Sequence, residues 1–120
     1  MGIGYVLAES LRPGSRIEEL PLTLKKVERY EVQNATSDQP TLWTGIEFEF
    51  PELEAERVAD ALAAVLDERG WYADLQANGE TFIVFAGRVF HYPTGDKGAS
   101  SEARDYGLSV GVPAAQLDWD

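Results

Sequence analysis

An Asn-Gly pair, Asn78-Gly79, sits in the middle of "WYADLQANGETFIVFAGRVFHY", residues 71–92. No other feature constrains this chain as strongly. A tight type I′ turn needs positive φ at both central residues, and Asn-Gly meets that need at the lowest steric cost. The turn predicts a hairpin with Ala77 opposite Glu80, Leu75 opposite Phe82 and Ala73 opposite Val84, continuing to Trp71 opposite Ala86. A second tight turn at Ala86-Gly87 returns the chain through Arg88–Tyr92. Val89 then lies across from Val84, Phe90 across from Ile83 and His91 across from Phe82. Side chains alternate between faces along a strand, so the sheet built from this stretch is apolar on both sides.

Upstream, Ile3–Leu11 reads as a strand that ends in the turn Arg12-Pro13-Gly14-Ser15. Leu22–Val32 reads as a second strand, its impure alternation predicting a bulge near Lys25–Lys26. Leu42–Phe50 alternates most cleanly. Leu42, Ile46, Phe48 and Phe50 share one face; Trp43, Glu47 and Glu49 share the other. Pro51 closes that strand and opens a helix, where a missing N–H costs nothing. The helix is expected from Glu52 to about Arg69, with acidic residues in its first turns and Gly70 at its end. Val58, Ala61, Leu62, Val65 and Leu66 form its apolar stripe. After the loop "PTGDKGAS", Ser100 or Ser101 would cap a short helix ending by Gly111, with Ala103, Tyr106 and Val110 facing inward. Pro113–Leu117 would add one more turn.

This β-β-β-α-β-β-β-α order predicts a single α+β domain over residues 1–120. Its sheet would be mostly antiparallel, of about five to six strands, with one long and one short helix packed on one face. The unit from Leu42 to Gln76 would join parallel strands through a helix, giving a split β-α-β close to a ferredoxin-like arrangement.

Placing the long helix over Leu42/Ile46/Phe48, Trp71/Ala73/Leu75 and Phe82/Val84/Val89 satisfies one face. The other face then presents Trp43, Tyr72, Ile83, Phe85 and Phe90, edged by Glu47, Glu49, Asp74 and Arg88. Burying a Phe or Ile is worth about 1.5–3 kcal/mol, so this face needs a cover. Three covers are open: the chain's own N-terminal strands or C-terminal helix, a second copy in a sheet-to-sheet homodimer, or a partner or small molecule in an aromatic groove.

Charge narrows the partners. With 21 acidic and 10 basic residues the net charge is −11, which repels phosphate backbones and anionic membranes. Direct nucleic-acid or membrane binding is not expected, whereas a basic protein partner is admitted, as for an acidic inhibitor or immunity-type protein. No apolar run approaches the roughly 20 residues of a membrane helix. Met1–Tyr5 lacks the pattern of a signal peptide. The absence of cysteine excludes disulfides, thiol catalysis and cysteine metal sites. Together these features predict a cytoplasmic protein.

Candidates for chemistry are few. His91, the only histidine, faces the long helix and reads as a packed residue, not a base. Glu47 and Glu49, with Asp74 nearby, read as a solvated strand face. Asp118 and Asp120 flank Trp119 but lack the ligand number and spacing of a calcium loop. The loop "TGDKGASS", residues 94–101, is the most suggestive. Lys97, Ser100 and Ser101 precede a helix N-terminus, where free N–H groups bind anions. It is not a Walker A sequence. No cofactor or metal is indicated. The leading expectation is therefore a non-enzymatic interaction module that self-associates through the aromatic face. The alternatives are a small anionic-ligand binder or weak enzyme using Thr94–Ser101, and an acidic inhibitor of a basic partner.

The stretches "GWYADLQ", "TFIVFAGRVFHYPTGDKG" and "ARDYGLSVGVPAAQLDWD", with the start "GYVLAESLRPG" and the strand "PTLWTGIEFEF", extend over nearly the whole chain. In them the chain resembles a family of small uncharacterised bacterial cytosolic α+β proteins. The resemblance implies a stand-alone domain and supplies no active-site residues.

Overall fold

The computed structural model describes residues 1–119; Asp120 lies outside the described residues. Six strands form one antiparallel sheet: β1 (Gly2–Leu7), β2 (Thr23–Glu31), β3 (Leu42–Phe50), β4 (Ala73–Ala77), β5 (Glu80–Phe85) and β6 (Arg88–Pro93), in the order β2-β3-β1-β4-β5-β6. Two α-helices, α1 (Ala55–Ala63) and α2 (Lys97–Ser109), complete the α+β fold. β1 pairs antiparallel with both β3 and β4. β3 and β4 therefore run parallel with β1 between them, and α1 joins them in the expected split β-α-β unit. β4, β5 and β6 follow as a meander.

The hairpin chemistry works as read. Asn78 and Gly79 have φ of 55° and 73°, and the register pairs Ala77 with Glu80, Leu75 with Phe82 and Ala73 with Val84. Gly87 at positive φ makes the second turn, placing Val89 on Val84, Phe90 on Ile83 and His91 on Phe82. The bulge in β2 falls between Leu24 and Lys26.

Four expectations change. The first helix stops at Ala63 instead of about Arg69, because a backbone partner competes for its last turns. Arg12 N donates to Val65 O at 2.8 Å and Asp67 N to Ser10 O at 2.8 Å, around a bridge between Leu11 and Leu66. Val65 and Leu66 stay buried, but in a turn and a single bridge residue that follow the helix. The first strand likewise ends at Leu7 and turns through a 3₁₀ segment, Ala8–Ser10.

Trp71 does not continue β4. It precedes the strand and turns to the opposite face, where it packs on Trp43 with ring centroids 5.3 Å apart. The largest change concerns the helices, which lie on opposite faces of the sheet instead of sharing one. α1 closes a core of Val6, Phe48, Phe50, Leu75, Phe82 and Val84 through Val58 and Leu62. α2 and the C-terminal segment cover Ile83, Phe85 and Tyr92 through Ala103, Val112, Leu117 and Trp119. Gly107 permits this approach: a Cβ there would press on Leu117 and Phe85.

Of the three covers open for the aromatic face, the chain's own C-terminal helix and segment take its β5–β6 half. Ile83 and Phe85 are buried, and Phe90 packs against Phe85 and Tyr106 at 5.9 and 5.5 Å. As residues of an exposed self-interface Ile83 and Phe85 are corrected to core, since α2 already removes their surface from water, and Phe90 packs partly buried against them.

Candidate ligand groove

α2 covers only the β5–β6 half of its face. Over β1, β2 and β3 the same face stays open, and a groove of about 510 Å³ runs between those strands and the C-terminal segment. Five aromatic rings line it: Tyr5, Tyr30, Trp43, Trp71 and Tyr72.

Each ring is placed by a local cause. Tyr5 on β1 reaches across β3 because position 45 is glycine; a Cβ there would collide with the Tyr5 hydroxyl. Tyr5 and Tyr30 thereby join their hydroxyls at 2.8 Å. Trp43 alternates onto this face of β3, and its indole N–H donates to Pro40 O at 2.8 Å. Trp71 packs beside it with its ring tilted by 57°, in one cluster with Leu7. Tyr72 donates its hydroxyl proton towards Gln116 O, 2.7 Å away, with Asp118 Oδ1 at 3.0 Å.

The walls are tied by a buried amide pair. Gln116 Nε2 donates to Gln39 Oε1 at 2.9 Å and to Asn34 O at 2.8 Å, while Gln39 Nε2 donates to Gly70 O at 2.9 Å. Three segments distant in sequence are thereby joined at one end of the groove. Buried amides satisfied in this way specify one arrangement, because any other leaves polar groups unpaired. Arg104 on α2 holds the last residues down. Its guanidinium donates to the carbonyls of Leu117 and Trp119 and lies 5.5 Å from the Trp119 ring centre.

Asp74, on β4 next to Tyr5, points into this groove. Burial, reinforced by the negative charge of Asp118, pushes its carboxyl up to about 6. Burial also raises the Tyr5 hydroxyl above the ordinary tyrosine range, with the Tyr30 hydrogen bond adding to the rise. Tyr72 is raised by burial and by Asp118. Both phenols are therefore neutral donors and acceptors near neutral pH. Glu31, Asp74 and Asp118 line the groove, and no Lys, Arg or His does among the described residues.

Of the residues singled out in the sequence, Trp43 and Tyr72 line the groove; Ile83, Phe85 and Phe90 are core, in or against the α2-side cluster. Tyr5, Tyr30 and Trp71 were not anticipated. Their convergence depends on β1 inserting between β3 and β4, which no local pattern announces. Glu47 and Glu49 do face this side, but Glu49 pairs with Lys25 at 3.7 Å, and Glu47 lies outside the groove lining.

The Thr94–Ser101 loop is arranged differently from the expectation. Asp96, not Ser100 or Ser101, caps α2, and its side chain accepts from Ala99 N at 3.1 Å. Ser100 N donates to Asp96 O. Ser100 is buried and its hydroxyl accepts from Arg104, while Lys97 and Ser101 are exposed. The three candidates do not converge, and a carboxylate already occupies the helix end. His91 stacks on Phe82 at 4.0 Å as its register requires. It keeps an exposed edge, with Nε2 3.0 Å from Glu80.

No protein-family model, no curated protein and no solved structure matches this chain. Its functional reading rests on the groove.

Proposed function

We propose that the chain is a small binding module, working without covalent chemistry, whose recognition site is the aromatic groove. One observation carries this reading. A preformed concavity of about 510 Å³ brings five aromatic rings together. Ligand sites are typically preformed clefts of roughly 300–1,000 Å³ with aromatic walls and a few convergent polar groups. The Gln39–Gln116 amides supply the preorganisation such a site needs.

The test is a melting screen of small aromatic and cationic compounds, followed through the fluorescence of Trp43 and Trp71. A ligand that binds only the folded chain raises its stability by mass action. The expected result is a concentration-dependent rise in Tm, lost in Trp71→Ala or Tyr30→Ala. Ligands whose effect survives both substitutions would place recognition elsewhere.

A second reading, self-association, is favoured by a different surface from the aromatic one. Leu24, Val27 and Leu42 are 63%, 51% and 46% exposed, on the α1 side of the sheet, in or beside the edge strand β2. Edge strands offer unpaired N–H and C=O groups to another strand. An antiparallel pairing of two β2 strands centred on Val27 would set Lys26 opposite Glu28 of the second copy. Light scattering should then report a dimer that Val27→Lys dissociates; a single-chain mass at every concentration refutes it.

A further inference from the structure

Resting on the groove reading above, we infer that its occupant presents a donor-bearing organic cation, a guanidinium, amidinium or ammonium group carried on an apolar body. Three independent features of the lining point the same way. The charged groups are Asp74 and Asp118, with Glu31 at the rim in register with Leu42 and no basic side chain among the described lining residues. An anion would meet uncompensated repulsion there, and a neutral ligand would leave the carboxylates as they are. The polar groups are mostly acceptors. The Tyr72 proton is already committed towards Gln116 O and Asp118, and one of the two hydroxyl protons of Tyr5 and Tyr30 is spent on their mutual bond. Apart from the Gln33 and Asn34 amides and one phenol proton, what remains is carboxylate and phenol oxygen, which a ligand rich in N–H donors satisfies.

The rings supply the third feature. Trp43 and Trp71 stand 5.3 Å apart at 57°, each 8% exposed, and line the groove with the partly exposed faces of Tyr5, Tyr30 and Tyr72. Cations are attracted to such faces, tryptophan most of all, and more strongly where water is partly excluded. A guanidinium adds flat stacking and a fork of donors matched to carboxylates. The volume exceeds that of the charged group alone, so the occupant carries an apolar body against Leu7 and Val32. Burial and Asp118 already oppose ionisation of Asp74; a bound cation relieves both oppositions. The net charge of −11 draws such ligands from solution.

A matched series separates the cation from the groove. Benzamidine, benzamide and benzoate share one body and differ in charge. Titrations followed by tryptophan fluorescence and calorimetry should show benzamidine binding about tenfold or more tighter than benzamide, with benzoate weakest. Asp74→Asn should erase most of that preference. A peptide bearing one arginine, compared with its citrulline counterpart, is the second arm. Preference for the arginine peptide over benzamidine would make the cation a partner protein's side chain; preference for benzamidine would make it a small molecule. Equal binding of benzamidine and benzamide overturns this inference but leaves the groove reading standing. Binding by no member of either series overturns both.

Discussion

The hydroxyls of Tyr5 and Tyr30 meet at 2.8 Å above Gly45, the single position of β3 without a side chain. Two strands that are not neighbours in the sheet are joined over a third. This contact forms one wall of the groove, and its dependence on glycine is steric. Gly45→Ala is expected to push Tyr5 aside and cost about 1–3 kcal/mol, as overpacking does. Tyr5→Phe removes only the hydrogen bond, for about 0.5–1.5 kcal/mol. Urea denaturation of both variants checks the order; a Gly45→Ala protein as stable as the parent contradicts it.

Asp74 should make stability fall as pH rises. Its carboxyl stands at about 6 in the folded chain, against an ordinary value of 3.8. The folded state therefore holds this proton longer than the unfolded one. Its contribution is fully present below the unfolded value and is lost as pH climbs through the folded value. Asp74→Asn is expected to be more stable than the parent at pH 7 by about 1–3 kcal/mol. The gain should shrink towards zero between about pH 6 and pH 4. Paired denaturation curves across that range decide it, and a constant difference counts against the assignment.

Glu9 should act in the opposite sense. Burial works to raise its carboxyl, but hydrogen bonds from Thr44 N at 2.6 Å and Thr44 Oγ1 at 2.8 Å outweigh this and hold it below the usual range. Its stabilisation is present above the ordinary carboxylate value and is lost as pH falls through the lowered one. Glu9→Ala should cost about 1–3 kcal/mol at neutral pH, since it leaves the Thr44 groups unpaired. The cost should fade in acid.

Arg104→Met tests whether the C-terminal segment is a movable wall. The guanidinium alone links α2 to the carbonyls of Leu117 and Trp119. Without it the segment carrying Gln116 and Asp118 should loosen, shifting Trp119 emission to the red and weakening any groove ligand. Unchanged emission and affinity would show that the Gln39–Gln116 amides suffice.

Phe85→Ala distinguishes core from interface. Phe85 is 1% exposed beneath α2, so the loss should be about 3–5 kcal/mol, as for other buried Phe truncations. Solution mass should stay the same. A change in mass with little change in stability would restore Phe85 to a contact between copies.

Much of this was legible along the chain, because the relevant forces act between near neighbours. Asn78-Gly79 dictated a turn, and the turn dictated every register from Ala77–Glu80 to Phe82–His91. Alternation placed Trp43 and Phe48 on opposite faces. The impure pattern around Lys25 marked the bulge. Composition alone accounts for the acidic charge that the groove would exploit.

Competition between distant segments decided the rest. Val65 and Leu66 carry a helical period, yet backbone bonds to the Ser10–Arg12 segment drew them out of the helix. Whether α2 lay with α1 or opposite it could not be read from its apolar stripe, since a stripe tells that a face is buried and not against which surface. Tyr5, Tyr30, Trp71 and Asp118 look like scattered residues in sequence. They become one site only because β1 enters the sheet between β3 and β4 and the C-terminus folds back over Tyr72. The local turns and the hairpin pairing of β4, β5 and β6 follow from short-range sterics and hydrogen bonding, which the sequence by itself determines. The groove is the space left where two long-range packings, α2 on β5–β6 and β2–β3 on β1, stop short of each other, and only the tertiary structure sets that boundary.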